Sequence, residues 1–278
     1  MNLGAMQEYP LRIMRLLDHA EREHGTREIV AARADGTTFR TNWNAVAQVA
    51  RRMGQALERF GIRPGDRVAT LAMNHDRHLN TWFGVPGMGG VLHTLNPRLF
   101  DDQLTYIINH AEDRVIMYDR AFAPIIERLK PNLNSVEQFV CFDDDYDSWL
   151  AAEDGDYSWH EGDERDPSGL CYTSGTTGNP KGVLYEHRST VLHAMSVIAP
   201  DIFDLSAGSV MLPVVPMFHA GSWCIPYAAA QSAAEAGRRI LKALLARKAS
   251  AALRPRAVRG RDEVATEALL DGCSLLSC

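Results

Sequence analysis

The sequence predicts an α/β fold, a largely parallel sheet flanked by helices. Segments with helical apolar period alternate with short apolar runs of strand length, and Gly/Pro/Asn/Asp turn signals separate them. A hydrophobic content of 46% over 278 residues is ample for a core of that size.

From Asn44 to Phe60, apolar residues recur at Val46, Val49, Ala50, Met53, Leu57 and Phe60, with Arg51, Arg52, Glu58 and Arg59 opposite. That spacing predicts an amphipathic helix, with Gly61 as its stop. Arg63-Pro64-Gly65-Asp66 is a turn signal, and Val68 to Ala72 reads as a strand. A second helix follows Asn74 to about Val85, and Phe100 to Asn109 and Ala123 to Leu129 are further helices. Strands are expected at Val115–Tyr118, Val136–Phe142 and Gly169–Thr173. The acidic stretch Asp143 to Asp166 reads as a surface excursion, and the chain has no internal repeat.

Composition limits function without naming it. A formal charge of −6 argues against broad nucleic-acid binding. No run of about 18 apolar residues suggests a membrane span, and the polar first residues do not read as a secretory signal. Cys141, Cys171, Cys224, Cys273 and Cys278 are scattered and odd in number, which favours a reduced cytoplasmic setting over a disulfide or zinc framework.

The chemistry is concentrated in one stretch. The strand Gly169–Thr173 runs into Ser174-Gly175-Thr176-Thr177-Gly178-Asn179-Pro180-Lys181-Gly182, and Arg188 to Ala199 reads as a helix beyond it. Strand, loop and helix together place backbone N–H groups around an anion. Gly175, Gly178 and Gly182 allow close backbone approach. Thr173, Ser174, Thr176 and Thr177 supply hydroxyls for phosphate oxygens, and Lys181 supplies positive charge on a loop stiffened by Pro180. The spacing is not that of a Walker A loop. An ordinary hydroxyl-rich surface loop is the plainer alternative, disfavoured by the Pro-Lys-Gly ending and the strand before it.

Weaker patterns are set aside. His75, Asp76 and His78 lack a third ligand motif and read as a solvated helix start. Gly87-Met-Gly-Gly90 is not a dinucleotide fingerprint, Asp143-Asp-Asp145 reads as a solvated turn, and Cys171 reads as core.

The run Tyr172-Thr-Ser-Gly-Thr-Thr-Gly-Asn-Pro-Lys-Gly-Val183 resembles the signature loop of the AMP-dependent synthetases, the adenylate-forming superfamily. Three further runs carry the resemblance: Gly61–Val68, Gly87–Leu99 with Tyr106–Asp113, and Pro213-Val-Val-Pro-Met-Phe-His-Ala-Gly-Ser-Trp223. The last two resemble medium- and long-chain fatty acyl-CoA synthetases in particular. The resemblance covers roughly residues 8–230 and implies the N-terminal part of that family's large domain. It implies a fatty acid–CoA ligase in which a fatty carboxylate attacks ATP to give an acyl-adenylate, and coenzyme A then displaces AMP. It also implies that Thr173, Ser174, Gly175, Thr176, Thr177, Gly178 and Lys181 hold the triphosphate, with Thr173 near Mg²⁺. Lys181 and His219 would be catalytic, and His219 and Trp223 would meet the acyl substrate. Met217 and Phe218 read as core packing. Family membership would allow a homodimer and peripheral membrane contact.

All 22 aromatic residues precede residue 231, and residues 231–278 carry nine Lys/Arg against five Asp/Glu, a local charge of +4. The family's later motifs do not follow residue 230. The expected division is therefore 1–230 as part of the AMP-binding domain and 231–278 as a non-homologous basic tail from a shifted reading frame. A rival reading makes the tail a cationic amphipathic helix, with Ile240, Leu241, Leu244 and Leu245 apolar, able to lie on a membrane. On the frameshift reading the chain is an inactive nucleotide-binding fragment; an adenylation domain serving another acceptor is the further alternative.

Overall fold

The computed structural model describes residues 8–33, 36–173, 179–219, 222, 224–232 and 235–236. Eight α-helices and ten strands are described: α1 Ile13–His24, β1 Glu28–Ala32, β2 Thr38–Asn42, α2 Trp43–Phe60, β3 Arg67–Leu71, α3 Asp76–Gly87, β4 Val91–Thr94, α4 Asp101–Ala111 and β5 Asp113–Tyr118. They continue as α5 Ala123–Leu129, β6 Gln138–Cys141, α6 Tyr146–Leu150, β7 Pro167–Thr173, β8 Lys181–Glu186, α7 His187–Val197, β9 Val210–Met211, α8 Ile225–Ser232 and β10 Glu235–Ala236.

The strands form two sheets, ordered β2-β1-β10-β9 and β6-β5-β3-β4-β7-β8. The larger is parallel except for β8, which pairs antiparallel with β7 at its edge. Alternation along its central strands sorts the core into two layers. Val68, Val115 and Met117 face a layer that includes α1, α2, α3, α7 and α8. Ala69, Leu71 and Ile116 face the opposite layer with α4 and α5.

The helices form where capping and apolar period agree. Asn42 accepts the Ala45 N–H at 3.0 Å to start α2. Gly61, at φ +101°, ends it with its N–H on Glu58 O and the Ile62 N–H on Leu57 O.

Two expectations need correction. The start of α3 is not solvated: Asp76 is buried in a bidentate contact with Arg33 at 3.1 and 2.8 Å, and His78 is fully buried. Its ring bridges Met73 O and Thr70 Oγ1, and burial holds its pKa down at about 3. The polar letters of this segment hid a polar network whose partners lie within the fold. Residues 143–166 are not merely a surface excursion either. They contain α6, bury Tyr146 and Leu150, and pack Tyr157 and Trp159 against the first core layer.

Candidate functional site

The functional end of the larger sheet is the carboxyl edge of its parallel strands. The crossover after β3 passes through α3 to β4 on one side, whereas that after β5 passes through α5 to β6 on the other. Reversal of direction opens a crevice between the ends of β3 and β5, the usual ligand position in open α/β sheets. A cavity of about 360 Å³ lies there, walled by Met73, Asn74, His75, Asp119, Val214 and Pro216.

His75 and Asp119 are fully engaged within this wall. The His78 N–H donates to His75 Nδ1 at 3.2 Å, so His75 Nε2–H donates to Asp119 Oδ1 at 2.8 Å. Asp119 Oδ2 accepts the Met73 N–H at 2.8 Å. Both ring nitrogens and both carboxylate oxygens are thus hydrogen-bonded within the fold, which ties the start of α3 to the end of β5.

Asn74 connects this edge to the segment bearing His219. Its side-chain amide donates to Val215 O at 2.9 Å and Pro213 O at 3.3 Å, and its oxygen accepts the Met217 N–H at 2.7 Å. The sequence marked Asn74 only as a helix boundary. The segment then turns, with the His219 N–H on Pro216 O and the Ser222 N–H on His219 O. Met217 and Phe218 are buried and His219 is exposed. Trp223 lies outside the described residues, but both its neighbours have left-handed backbones, Ser222 at φ +47° and Cys224 at φ +61°. Such conformations cost non-glycine residues about 1–3 kcal/mol and concentrate at functional segments.

Thr173 and Lys181 face each other as the last register pair of the β7–β8 hairpin. Ser174, Gly175, Thr176, Thr177 and Gly178 lie outside the described residues. Both framing residues are exposed, and among the described residues Lys181 forms no ion pair. The Thr173 hydroxyl donates to Lys181 O at 3.4 Å. The expected helix is present as α7, His187–Val197, but the residues between the loop and that helix form strand β8, which the sequence reading did not include. The pairing of Gly182–Glu186 with β7 accounts for the difference, because Val183 and Tyr185 suit an extended backbone. The α7 N-terminus at His187 therefore lies at the far end of β8 from Lys181.

Behind the hairpin lies a second cavity of about 260 Å³ between the sheet and helices α3, α7 and α8. Trp82, Leu92, Cys171, Thr190, Cys224 and Tyr227 contribute to its wall, so β7 and the segment after Trp223 share it. The Tyr227 hydroxyl donates to Trp82 O at 3.0 Å, and burial raises the Cys224 thiol to about 12, which keeps it protonated. Cys171 is half-buried at this wall with its Sγ 3.2 Å from Thr94 Oγ1.

Comparison with known proteins places these features in context. A family model described as AMP-binding enzyme matches residues 17–238. The chain is 48% identical over 246 residues to the 3-methylmercaptopropionyl-CoA ligase of Ruegeria lacuscaerulensis, covering 84% of this chain and 46% of that protein. It is 46% identical over 246 residues to the medium-chain-fatty-acid–CoA ligase of Ectopseudomonas oleovorans, covering 84% of this chain and 45% of that protein. Among solved structures, the inhibitor-bound N-terminal domain of FACL13 from Mycobacterium tuberculosis superposes with a TM-score of 0.73 at 25% identity, covering 81% of this chain and 56% of that one. The chain thus spans less than half the length of these two ligases.

Proposed function

Because the chain belongs to the AMP-binding enzyme family, we propose that it carries the phosphate-holding part of an AMP-forming fatty acid–CoA ligase. In that reaction a fatty carboxylate oxygen attacks the α-phosphorus of ATP, pyrophosphate leaves, and an acyl-adenylate forms. The thiol of coenzyme A then attacks the acyl carbon and AMP departs. Negative charge grows on the departing pyrophosphate, so pre-aimed N–H groups, hydroxyls and a lysine stabilise that step most.

The observation carrying this reading is the Thr173–Lys181 register pair at the mouth of the hairpin, both residues exposed and Lys181 without an ion pair among the described residues. On this reading Thr173, Ser174, Gly175, Thr176, Thr177, Gly178 and Lys181 hold the triphosphate. Mg²⁺ prefers oxygen donors and arrives with the nucleotide phosphates, so the exposed Thr173 hydroxyl suits it. His219 would face the carboxylate and Trp223 the acyl chain, with the apolar cavity beside Trp82 and Tyr227 supporting an aliphatic tail.

Residues 1–230 form the catalytic part of this proposal, with 231–278 as the separate basic tail. The scattered, odd-numbered cysteines of the sequence favour a reduced, cytoplasmic setting in this reading. Among the described residues no helix is long and apolar enough to cross a membrane. On this reading the 278 residues by themselves bind nucleotide without completing turnover.

The test is ATP–pyrophosphate exchange with a series of carboxylic acids, run on the 278-residue chain and on a chimera whose remaining sequence comes from the medium-chain relative. The chain alone should give no exchange, and the chimera should prefer medium or long aliphatic acids. In the chimera, Lys181→Ala should lower exchange by about 10²-fold without altering folding. An unchanged rate would refute the role assigned to Lys181.

A further inference from the structure

The hairpin that presents Thr173 and Lys181 hangs on one neighbour. Among the described residues strand β8 is the sheet edge, pairs only with β7, and exposes all six of its residues. An edge strand held on one side frays most easily at its end, here the end that carries Lys181.

Tyr172 counters that fraying from the position next to Thr173. It is the register partner of Gly182 across the hairpin. A Cβ at Gly182 would come within 3.1 Å of Tyr172 Cζ and 3.3 Å of Leu170 Cδ1, so the ring packs closely across the glycine and a side chain there would have to shift it. The Tyr172 hydroxyl reaches His110 Nδ1, in the last turn of α4, at 2.6 Å. His110 in turn stacks on Tyr106 with ring centroids 5.3 Å apart. Beneath the tyrosine, the His93 ring lies 5.2 Å away by centroid, and His93 Nδ1 is 2.7 Å from Asp113 Oδ2.

His93 and Asp113 are fully buried, and His93 Nε2 and Asp113 Oδ1 have no hydrogen-bond partner among the described residues. Burial raises the Asp113 carboxyl despite the imidazole beside it. A buried pair with two unsatisfied atoms is costly as mere packing. Its position under the ring of Tyr172 gives it a use, since it fixes the floor on which the ring rests. Burial also lifts the Tyr172 hydroxyl to about 12, so the phenol stays a hydrogen-bond donor across the working pH range.

We propose that Tyr172 is the positioning residue for Thr173 and Lys181, clamping Gly182 across the hairpin while its hydroxyl ties β7 to α4 through His110. The ring and the hydroxyl act in different directions. One closes β8 onto β7, and the other stops the closed hairpin from swinging away from the helix layer. Nothing in this role requires Tyr172 to touch nucleotide. Its link to ATP rests on the function proposed above.

Hydrogen exchange of the 278-residue chain, followed over peptides spanning residues 170–184, tests the role independently of nucleotide. Tyr172→Phe and His110→Ala should each speed exchange there about fivefold, the effect of losing one ordinary hydrogen bond. The double variant should be no faster than either single one, and exchange in β3 and β5 should stay unchanged. MgATP affinity, read by calorimetry, should fall by a similar factor in both variants. Unchanged exchange in Tyr172→Phe, or an additive double variant, would overturn the proposal. A uniform rise across the whole sheet would overturn it too, by reducing Tyr172 to a core residue. Faster local exchange in both variants, alongside a wild-type chain that does not bind MgATP, would support the clamp and reject the nucleotide reading.

Discussion

At the scale of single residues, the largest contributions come from polar groups that the fold surrounds. Asn74 makes three hydrogen bonds to a segment about 140 positions away in sequence. At roughly 1 kcal/mol each, with more for any partner left buried and unpaired, Asn74→Ala should cost about 2–4 kcal/mol in urea unfolding. It should also loosen the turn at His219. A loss below about 0.5 kcal/mol would mean that water replaces those bonds. Buried histidines set the pH response. Burial, with a smaller part from Arg12, depresses His187 to about 3, and burial likewise depresses His78 to about 3, each from 6.5. The unfolded chain therefore takes up protons that the folded chain refuses between about pH 6.5 and 3. Stability should be full above that window and fall through it by about 1.4 kcal/mol per pH unit for each histidine. His187→Gln should reduce the slope by about one histidine's share, measured as urea midpoints from pH 7 to 5. An identical slope in the variant would show that His187 is protonated in the folded state. The hairpin chemistry was legible in the sequence because its glycines, hydroxyls and lysine are neighbours. Asn74, His78 and the His93–Asp113 pair were not, because their partners are distant in the chain and their letters look like those of surface residues.

At the scale of elements, helices with a strong apolar period were legible to within a few residues. α2 is one residue longer than the pattern at its start, and α5 has the expected bounds. The four-stranded sheet was not legible, since β9 and β10 are two residues each and owe their existence to pairing with distant strands. β8 escaped for a related reason: its residues are all exposed, so no buried periodicity announces a strand. Helices α2 and α3 pack closely enough that glycine is required at their crossing. A Cβ at Gly84 would stand 2.5 Å from Met53 Cγ and 3.0 Å from Ala50 O. Although alanine favours a helix more than glycine does, Gly84→Ala should therefore destabilise by about 1–3 kcal/mol through overpacking. A stabilised variant in thermal unfolding would show that the two helices can separate without cost.

At the scale of the whole molecule, the exposed edge is the feature with consequences. Leu184 on β8 is 57% exposed, and Leu192 and Met195 on α7 are 43% and 44% exposed. Apolar side chains on a strand paired on one side among the described residues, and on the adjoining helix, make a surface prone to association. The 278-residue chain should bind ANS and self-associate with concentration in sedimentation, and Leu184→Lys should weaken both. A monomer that binds no ANS would contradict this. The expected basic tail lies almost entirely outside the described residues, while the family match runs to residue 238 and β10 ends at Ala236. Sequencing the gene around codon 230 separates the frameshift reading from a native amphipathic helix, for an intact frame removes the first. The central claim is that the β7–β8 hairpin holds nucleotide phosphate, and calorimetric titration of the chain with MgATP tests it most directly. The account predicts saturable binding of one nucleotide per chain, weakened about tenfold or more by Lys181→Ala at unchanged thermal stability. Absence of binding, or equal binding by the Lys181→Ala variant, would contradict it.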